Sequence, residues 1–135
     1  MSAAPANAEH LLCAAYREEA ILYDRALTIA TDVLTALRRG DHAEESLRQL
    51  LAIFDQVSNI EARLAPVKAR CAHNDAKPGP ALEHAITEVR HLAERVQACI
   101  QEAERFARER KSELEPQLDA VIRGSQMQRA YGNWR

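Results

Sequence analysis

A short, strongly signalled turn in the first third of the chain most constrains what it can fold into. Residues 37–45 have the sequence Leu-Arg-Arg-Gly-Asp-His-Ala-Glu-Glu. The two arginines suit the negative end of a helix dipole, and Gly40 can adopt the left-handed backbone that closes a helix. Asp41 is a good N-cap for a second helix, and Glu44, three residues later, can complete a capping box. Because the connection is so short, the flanking helices must run antiparallel as a hairpin.

Apolar residues recur at intervals of three and four along three long segments, which is the spacing of one helix face. The chain contains 25 Ala, 14 Leu and only 4 Gly, a composition that favours helix. The prediction is an all-α fold, in which a long antiparallel hairpin and a third long helix form an elongated, coiled-coil-like bundle. The predicted stripes are Tyr16, Ala20, Tyr23, Leu27, Ala30, Leu34 and Leu37; Leu47, Leu50, Phe54, Val57, Ile60, Leu64, Val67 and Cys71; and Leu82, Ile86, Val89, Ala93, Val96, Ile100, Ala103 and Ala107.

The predicted helices cover residues from about 8 to 39, from about 43 to 72, and from 81 toward 122. Pro66 lies inside the second helix, where the apolar spacing continues past it, so we expect a kink rather than an end. Residues 74–80 contain two prolines around a glycine, and they are predicted to form the loop before the third helix.

The third predicted helix is longer than the hairpin on which it packs. At about 1.5 Å per residue it would extend roughly 60 Å, against roughly 45 Å for each helix of the hairpin. Its partner surface ends near residues 108–113, a stretch without any apolar side chain. Either a short fourth helix begins at Ser112 and folds back, or the end projects toward another protein. We favour projection, which divides the chain into a bundle core, residues 1–111, and a partner-binding helix and tail, residues 112–135.

Composition and motif content argue against several classes of function. The net charge is −2, whereas a general nucleic-acid-binding protein is usually strongly basic. No apolar run reaches the roughly 18 residues that a transmembrane helix needs. The three cysteines lack CxxC spacing and the N-terminus lacks a signal-peptide pattern, which indicates free thiols in a cytoplasmic protein. Without a phosphate-binding loop, a nucleophile elbow or paired catalytic carboxylates, we expect no enzymatic activity and no cofactor.

One weak candidate for a metal site lies in the third helix. His84, Glu88 and His91 are spaced to share one helix face, and Glu88 with His91 forms the E-x-x-H pair of di-iron bundles. Such bundles need a second E-x-x-H motif, which this sequence lacks. Because the three residues also lie off the apolar stripe, a solvated surface is the favoured interpretation.

The end of the chain combines positive charge with side chains typical of interfaces. No acidic residue follows Asp119, while Met127, Tyr131 and Trp134 alternate with three arginines. Trp, Tyr and Arg dominate interface hot spots, and Met adapts to varied surfaces. Two alternatives stay open: these side chains fold back onto the bundle, or they stack on single-stranded nucleic acid, for which three arginines form a small footprint.

In three places the sequence resembles the flagellar type III export chaperones of the FlgN and FliT class. Residues 22–41 are similar to the family's first helix and its closing Gly-Asp turn, although His42 stands where the family often has Trp. Residues 47–64 are similar to the family's apolar second helix. Residues 126–132 are similar to the short basic stretch followed by Tyr-Gly near the family's C-terminus.

This resemblance implies a cytoplasmic, non-enzymatic chaperone. Such a protein binds the helical C-terminal end of a late flagellar subunit, either a hook–filament junction protein or the filament cap protein. It prevents premature assembly and delivers the subunit to the type III export apparatus. The implied client-binding residues are Leu114, Leu118, Val121, Ile122 and Met127, and the residues implied in docking to the export gate are Arg129, Tyr131 and Trp134.

Two hypotheses from other classes accompany this one. In the first, the chain is a coiled-coil scaffold or homo-oligomer, whose apolar stripes pair with those of further copies. A homodimer is also compatible with the chaperone hypothesis. In the second, the chain is a helical metal-binding or phosphotransfer domain. None of the five histidines has the nearby lysine and glycine that commonly accompany a phosphorylated histidine.

Overall fold

The computed structural model describes residues 3–73, 77–110 and 121–127 of the chain. Three long helices account for most of them: α1 (Ala3–Arg39), α2 (Glu44–His73) and α3 (Pro80–Glu109). Residues 121–127 are also helical and are called the C-terminal segment below. The described residues contain no β-strand, so the all-α prediction is confirmed.

Gly40 closes α1 with the backbone geometry that the sequence predicts. Its φ angle is +76°, in the left-handed region. The Gly40 N–H donates to the Leu37 carbonyl (3.1 Å), and the Asp41 N–H donates to the Ala36 carbonyl (2.8 Å). These are the two bonds of a Schellman motif. A Cβ on residue 40 would meet no atom within 4 Å, so backbone conformation and not crowding favours glycine here.

The start of α2 differs from the prediction. The Ala43 carbonyl accepts the first helical hydrogen bond, from the Leu47 N–H (2.9 Å), so Ala43 and not Asp41 occupies the N-cap position. Asp41 instead takes part in the closing motif of α1, through its N–H, and α2 starts two residues later than predicted. Asp41 and Glu44 therefore do not form the predicted capping box. Glu44 still lies in the first turn, where the helix dipole favours an acid.

The remaining helix limits follow from local chemistry. α1 starts at Ala3, earlier than the predicted start near residue 8. α2 continues through Pro66. Pro66 and Ala62, whose carbonyl loses its usual donor, are both exposed, so water can replace the missing hydrogen bond. Pro80 occupies the first turn of α3. α3 ends at Glu109 and does not continue toward residue 122 as predicted; it gives way to a turn at Arg110, inside the charged run where the partner surface was predicted to end.

α1 is the central helix of the bundle, because it packs against both α2 and α3. The predicted stripes are confirmed as the faces that build the core, and of their members only Leu27, Cys71 and Ile86 are half-buried. A main core cluster runs along all three helices and includes the fully buried Tyr23, Phe54, Val57, Val89 and Val96. A smaller cluster, called the turn-end core below, lies beside the α1–α2 turn and consists of Val33, Leu34, Leu37, Ala43, Leu47, Ala103 and Val121.

Polar contacts between distant residues fix the helices against one another. The N–H of Gly79, at the start of α3, donates to the carboxylate of Glu9 on α1. Because α3 has no side-chain cap of its own, Glu9 places a negative charge where the α3 dipole favours one. A Cβ on residue 79 would lie 2.9 Å from the Glu9 Oε1 atom, so a larger residue would require the end of the Glu9 side chain to shift. At the other end of α1, Arg38 pairs with Glu102 of α3.

The C-terminal segment does not project from the bundle. Val121 is 2% exposed and belongs to the turn-end core, and Met127 packs against the main core. The favoured prediction of a projecting end is therefore wrong for residues 121–127, and a short helix that folds back describes them correctly. None of the helices in the described part of the chain combines the length and the apolar character needed to cross a bilayer.

Candidate functional site

An apolar groove between the three long helices holds the C-terminal segment next to the α1–α2 turn. Each long helix contributes part of its lining, which makes the groove a composite of α1, α2 and α3. We call this surface the helix groove; its lining residues are Ala30, Val33, Leu47, Leu50, Leu51, Ile100 and Ala103.

Val121 and Gly124 are the residues of the segment that enter the helix groove. Val121 is buried among the side chains of the turn-end core. At Gly124, a Cβ would lie 3.9 Å from the Phe54 ring, which is ordinary van der Waals contact. A cavity of about 10 Å³, room for about one water molecule, remains between the segment and the groove. The groove therefore fits a short helix that presents small and β-branched side chains, although a small space between this helix and the groove stays unfilled.

Two polar side chains lie buried on the segment and on α3. Ser125 is 2% exposed, and its hydroxyl has no hydrogen-bond partner among the described residues. Glu104 is 7% exposed; its Oε1 forms an ion pair with Arg108 (2.6 Å), while Oε2 has no partner in the described part of the chain. A buried polar group left without a partner costs about 1–3 kcal/mol. The Ser125 hydroxyl therefore opposes the hydrophobic gain that holds the segment in place.

The structure places only part of the predicted client-binding set. Val121 is buried, while Ile122 and Met127 are half-buried. Leu114 and Leu118 lie outside the described residues, and so do Arg129, Tyr131 and Trp134, the residues implied in docking to an export gate. Val121 and Met127 thus contact this chain's own bundle, and they are free for a client only if the segment leaves the groove.

A second feature, which sequence reasoning missed, is a carboxyl pair buried between α1 and α2. Glu19 is 0% exposed, and its carboxyl oxygens meet no N–H or hydroxyl donor among the described residues. Its neighbour Glu61 accepts a hydrogen bond from Lys68 (2.6 Å). The Lys68 ammonium also lies 5.6 Å from the centre of the Tyr16 ring, a cation–π distance.

Burial is the main reason why Glu19 holds its proton. It raises the pKa of Glu19 to about 10, and a hydrogen bond with Glu61 and the negative charge of Glu61 add to the effect. Glu19 is therefore neutral at pH 7, and its hydroxyl donates a hydrogen bond to Glu61. The charge of Glu61 is balanced by Lys68. Burial and the charge of Glu61 likewise raise the pKa of the Tyr16 hydroxyl. Because Glu19 has no contact with solvent, its role in this arrangement is structural.

The signal that could have found Glu19 is its position in the helix. It lies three residues after Tyr16 and four before Tyr23, directly on the buried face of α1. A glutamate is nevertheless expected at the surface, because an ionised carboxylate is rarely buried without a partner. The pairing of two acids across two helices has no signature in either helix alone.

The weak metal candidate lies on the outer surface of α3. His84 and Glu88 are both exposed, with 3.9 Å between the His84 Nε2 and Glu88 Oε2 atoms, and His91 is exposed one turn further along. Within residues 3–73, 77–110 and 121–127, no group of three or more His, Cys, Asp or Glu side chains is arranged to hold a metal ion. The cysteines are free thiols; Cys13 is buried and Cys71 and Cys99 are half-buried.

The C-terminal segment in its groove is the feature of the described residues that best fits a binding function, because the groove already accommodates a short helix. The chain matches no model of a known protein family, no curated protein and no solved structure.

Proposed function

We propose that this protein is a cytoplasmic export chaperone that binds the amphipathic helical end of a late flagellar subunit, a junction or cap protein. The proposal rests on the resemblance to the FlgN and FliT class. The observation that supports it is the helix groove, an apolar surface built by three helices that accommodates a short helix through Val121 and Gly124. Helix-in-groove packing is a common way of recognising an amphipathic segment.

The burial of Val121 adds a condition to this proposal. If residues 112–135 carry the client contacts, as the resemblance implies, the C-terminal segment must leave the groove before it binds a client. If instead the groove itself carries them, the segment and the client compete for one surface. The incomplete packing around the segment and the partnerless Ser125 hydroxyl lower the cost of its release. Docking to an export gate through Arg129, Tyr131 and Trp134 is part of the same proposal.

The experiment is size-exclusion chromatography with light scattering on the full chain and on a version that ends at Lys111. Each is run alone and with purified flagellar junction and cap proteins. Loss of the complex on truncation would assign the client contacts to residues 112–135. A tighter complex on truncation would assign them to the helix groove. If neither version binds either protein, the proposed function is wrong.

A pair of matched variants sharpens this test in the full chain. Val121→Asp places a charge in the turn-end core and drives the segment out of the groove. Gln126→Asp makes a similar change at an exposed position of the same segment. We expect client affinity to change with Val121→Asp and to stay within about twofold with Gln126→Asp, because surface substitutions away from contacts are usually small in effect.

A further inference from the structure

The buried face of the C-terminal segment carries small side chains at two adjacent positions. Gly124 lines the helix groove, and its neighbour Ser125 is buried as well. Together with Val121 they are the fully buried residues of the segment, whereas Arg123 and Gln126 are exposed. The face that meets the bundle therefore consists of a β-branched residue followed, three and four positions later, by two small residues.

The helix groove accounts for this pattern, because its own lining is entirely aliphatic. Every residue that the three long helices contribute to it is Ala, Val, Leu or Ile. The short side chains of Ala30 on α1 and Ala103 on α3 let another helix lie close to the groove. No lining side chain carries a charge or a hydrogen-bonding group. The groove therefore distinguishes one helix from another by the size and polarity of the side chains that enter it.

Ser125 suits the buried face by size but not by polarity. Its hydroxyl has no hydrogen-bond partner among the described residues. Alanine is nearly the same size and would remove the cost of burying that hydroxyl. Alanine also forms helix more readily than serine. A helix with alanine at this position should therefore occupy the groove roughly tenfold more tightly than the chain's own segment does.

Gly124 leaves space for one methyl group and no more. A Cβ there would lie 3.9 Å from the Cε2 atom of Phe54, an ordinary van der Waals distance. Because glycine is a poor helix former, alanine at this position should improve occupation of the groove by roughly fivefold. A longer side chain would press against the Phe54 ring, which is fully buried in the main core and has no room to move away.

We propose that the helix groove selects amphipathic helices whose buried face carries valine or isoleucine, followed three and four residues later by two alanines. The chain's own segment has glycine and serine at the two later positions, so it is a weaker occupant than such a helix. Its attachment to the bundle offsets this weakness, because it raises the effective concentration of the segment at the groove. The selection rests on the proposed function, in the form in which the groove itself binds the client.

The first experiment measures the affinity of the full chain for labelled peptides by fluorescence anisotropy. The peptides span residues 116–131 and carry single substitutions or none. Compared with the unchanged sequence, Ser125→Ala should bind roughly tenfold more tightly and Gly124→Ala roughly fivefold more tightly. Gly124→Leu should abolish binding. Gln126→Ala, which raises helix propensity at an exposed position, is the matched control and should change affinity by less than about twofold.

The same substitution in the full chain should have the opposite effect on peptide binding. Ser125→Ala strengthens the chain's own segment, so this variant should bind the Ser125→Ala peptide roughly tenfold more weakly than the wild type does. Circular dichroism verifies that the variant is folded.

Three results would overturn the proposal: no gain from alanine in the peptides, an equal gain from Gln126→Ala, or unchanged peptide binding by the Ser125→Ala chain. Peptide binding with the expected preference, but no binding of the flagellar proteins, would support the selection and contradict only the proposed function. Binding of those proteins without any preference for alanine would contradict the selection alone.

Discussion

The two core clusters of this bundle differ in what completes them. The main core is built by the three long helices, to which Met127 of the C-terminal segment adds one half-buried contact, and the neutral Glu19 is buried between α1 and α2. The turn-end core is apolar but needs Val121 from the C-terminal segment, and a small cavity remains where the two meet. Burial alone therefore does not decide which of the two regions is more stable. The main core tolerates a polar group because many apolar contacts surround it, whereas the turn-end core depends on one short helix.

We expect the largest loss of stability from a substitution in the main core. Phe54→Ala removes a fully buried ring that also lies next to Gly124, so it should lower the free energy of unfolding by about 3–5 kcal/mol. Urea unfolding followed by circular dichroism measures the change. Phe106→Ala, at a half-buried position beside the turn-end core, is the control and should cost clearly less. An equal loss for both would contradict the view that the main core dominates stability.

The second prediction concerns the proton on Glu19. Its pKa is raised from 4.5 to about 10 in the folded state, so the stabilisation from the bound proton is complete below pH 4.5 and declines as the pH rises toward 10. Between pH 6 and pH 8 the wild type should therefore lose stability that Glu19→Gln keeps, on the order of 1–3 kcal/mol, because one proton is bound only in the folded state over this range. Urea unfolding at both pH values measures the difference. Glu94→Gln, at an exposed site of α3, should keep the wild-type slope.

The third prediction tests the turn-end core. Val121→Ala removes two buried methyl groups and should lower the free energy of unfolding by about 2 kcal/mol at most. Hydrogen exchange should show faster exchange at amides of the turn-end core, such as Leu37 and Leu47, while Val57 and Val89 keep their protection. Equal acceleration at all four amides would mean that the two cores open together and that the comparison does not hold.

The smallest expected effect concerns the turn itself. Gly40→Ala places a Cβ in open space but on a left-handed backbone, so it should cost about 1 kcal/mol through conformation alone. Gly79→Ala meets the Glu9 carboxylate instead, so it should shift the end of that side chain and weaken its hydrogen bond to the Gly79 position. Thermal unfolding measures the loss of stability in both variants. In a chain that also carries Glu9→Gln, the loss of stability from Gly40→Ala should stay the same, because that loss does not involve Glu9. A change in that effect would show that the two ends of α1 are coupled.

The helices were predictable because their causes are local. The stripe that contains Phe54 and Val57 repeats at helical spacing, and Gly40 is followed by the residues that a closing turn needs. The N-cap of α2 was not predicted correctly, because Asp41 belongs to the closing motif of α1 and the first helical hydrogen bond of α2 is accepted two residues later, by the Ala43 carbonyl. Capping patterns state which residues suit a position and not which of two neighbouring helices uses them.

The candidate site was less predictable for a different reason. The period of an apolar stripe shows which face of a helix avoids water, but it does not show which element covers that face. Val121 was predicted to contact another protein, whereas in the structure it packs against the helices of its own chain. Glu19 was missed because its burial depends on Glu61 and Lys68 from another helix. Both results depend on contacts across the fold that no single segment encodes.

The central position of α1 has a consequence for the order in which the protein folds during synthesis. The α1–α2 hairpin can form once His73 has left the ribosome, since its contacts are between neighbours in the chain. The surface of α1 that belongs to α3 remains uncovered until Glu109 is made. At about 5–20 residues per second, this interval lasts roughly 2–7 s. For that time the nascent chain displays an apolar stripe along its longest helix, and the ribosome-bound hairpin is the stage most open to association with other chains.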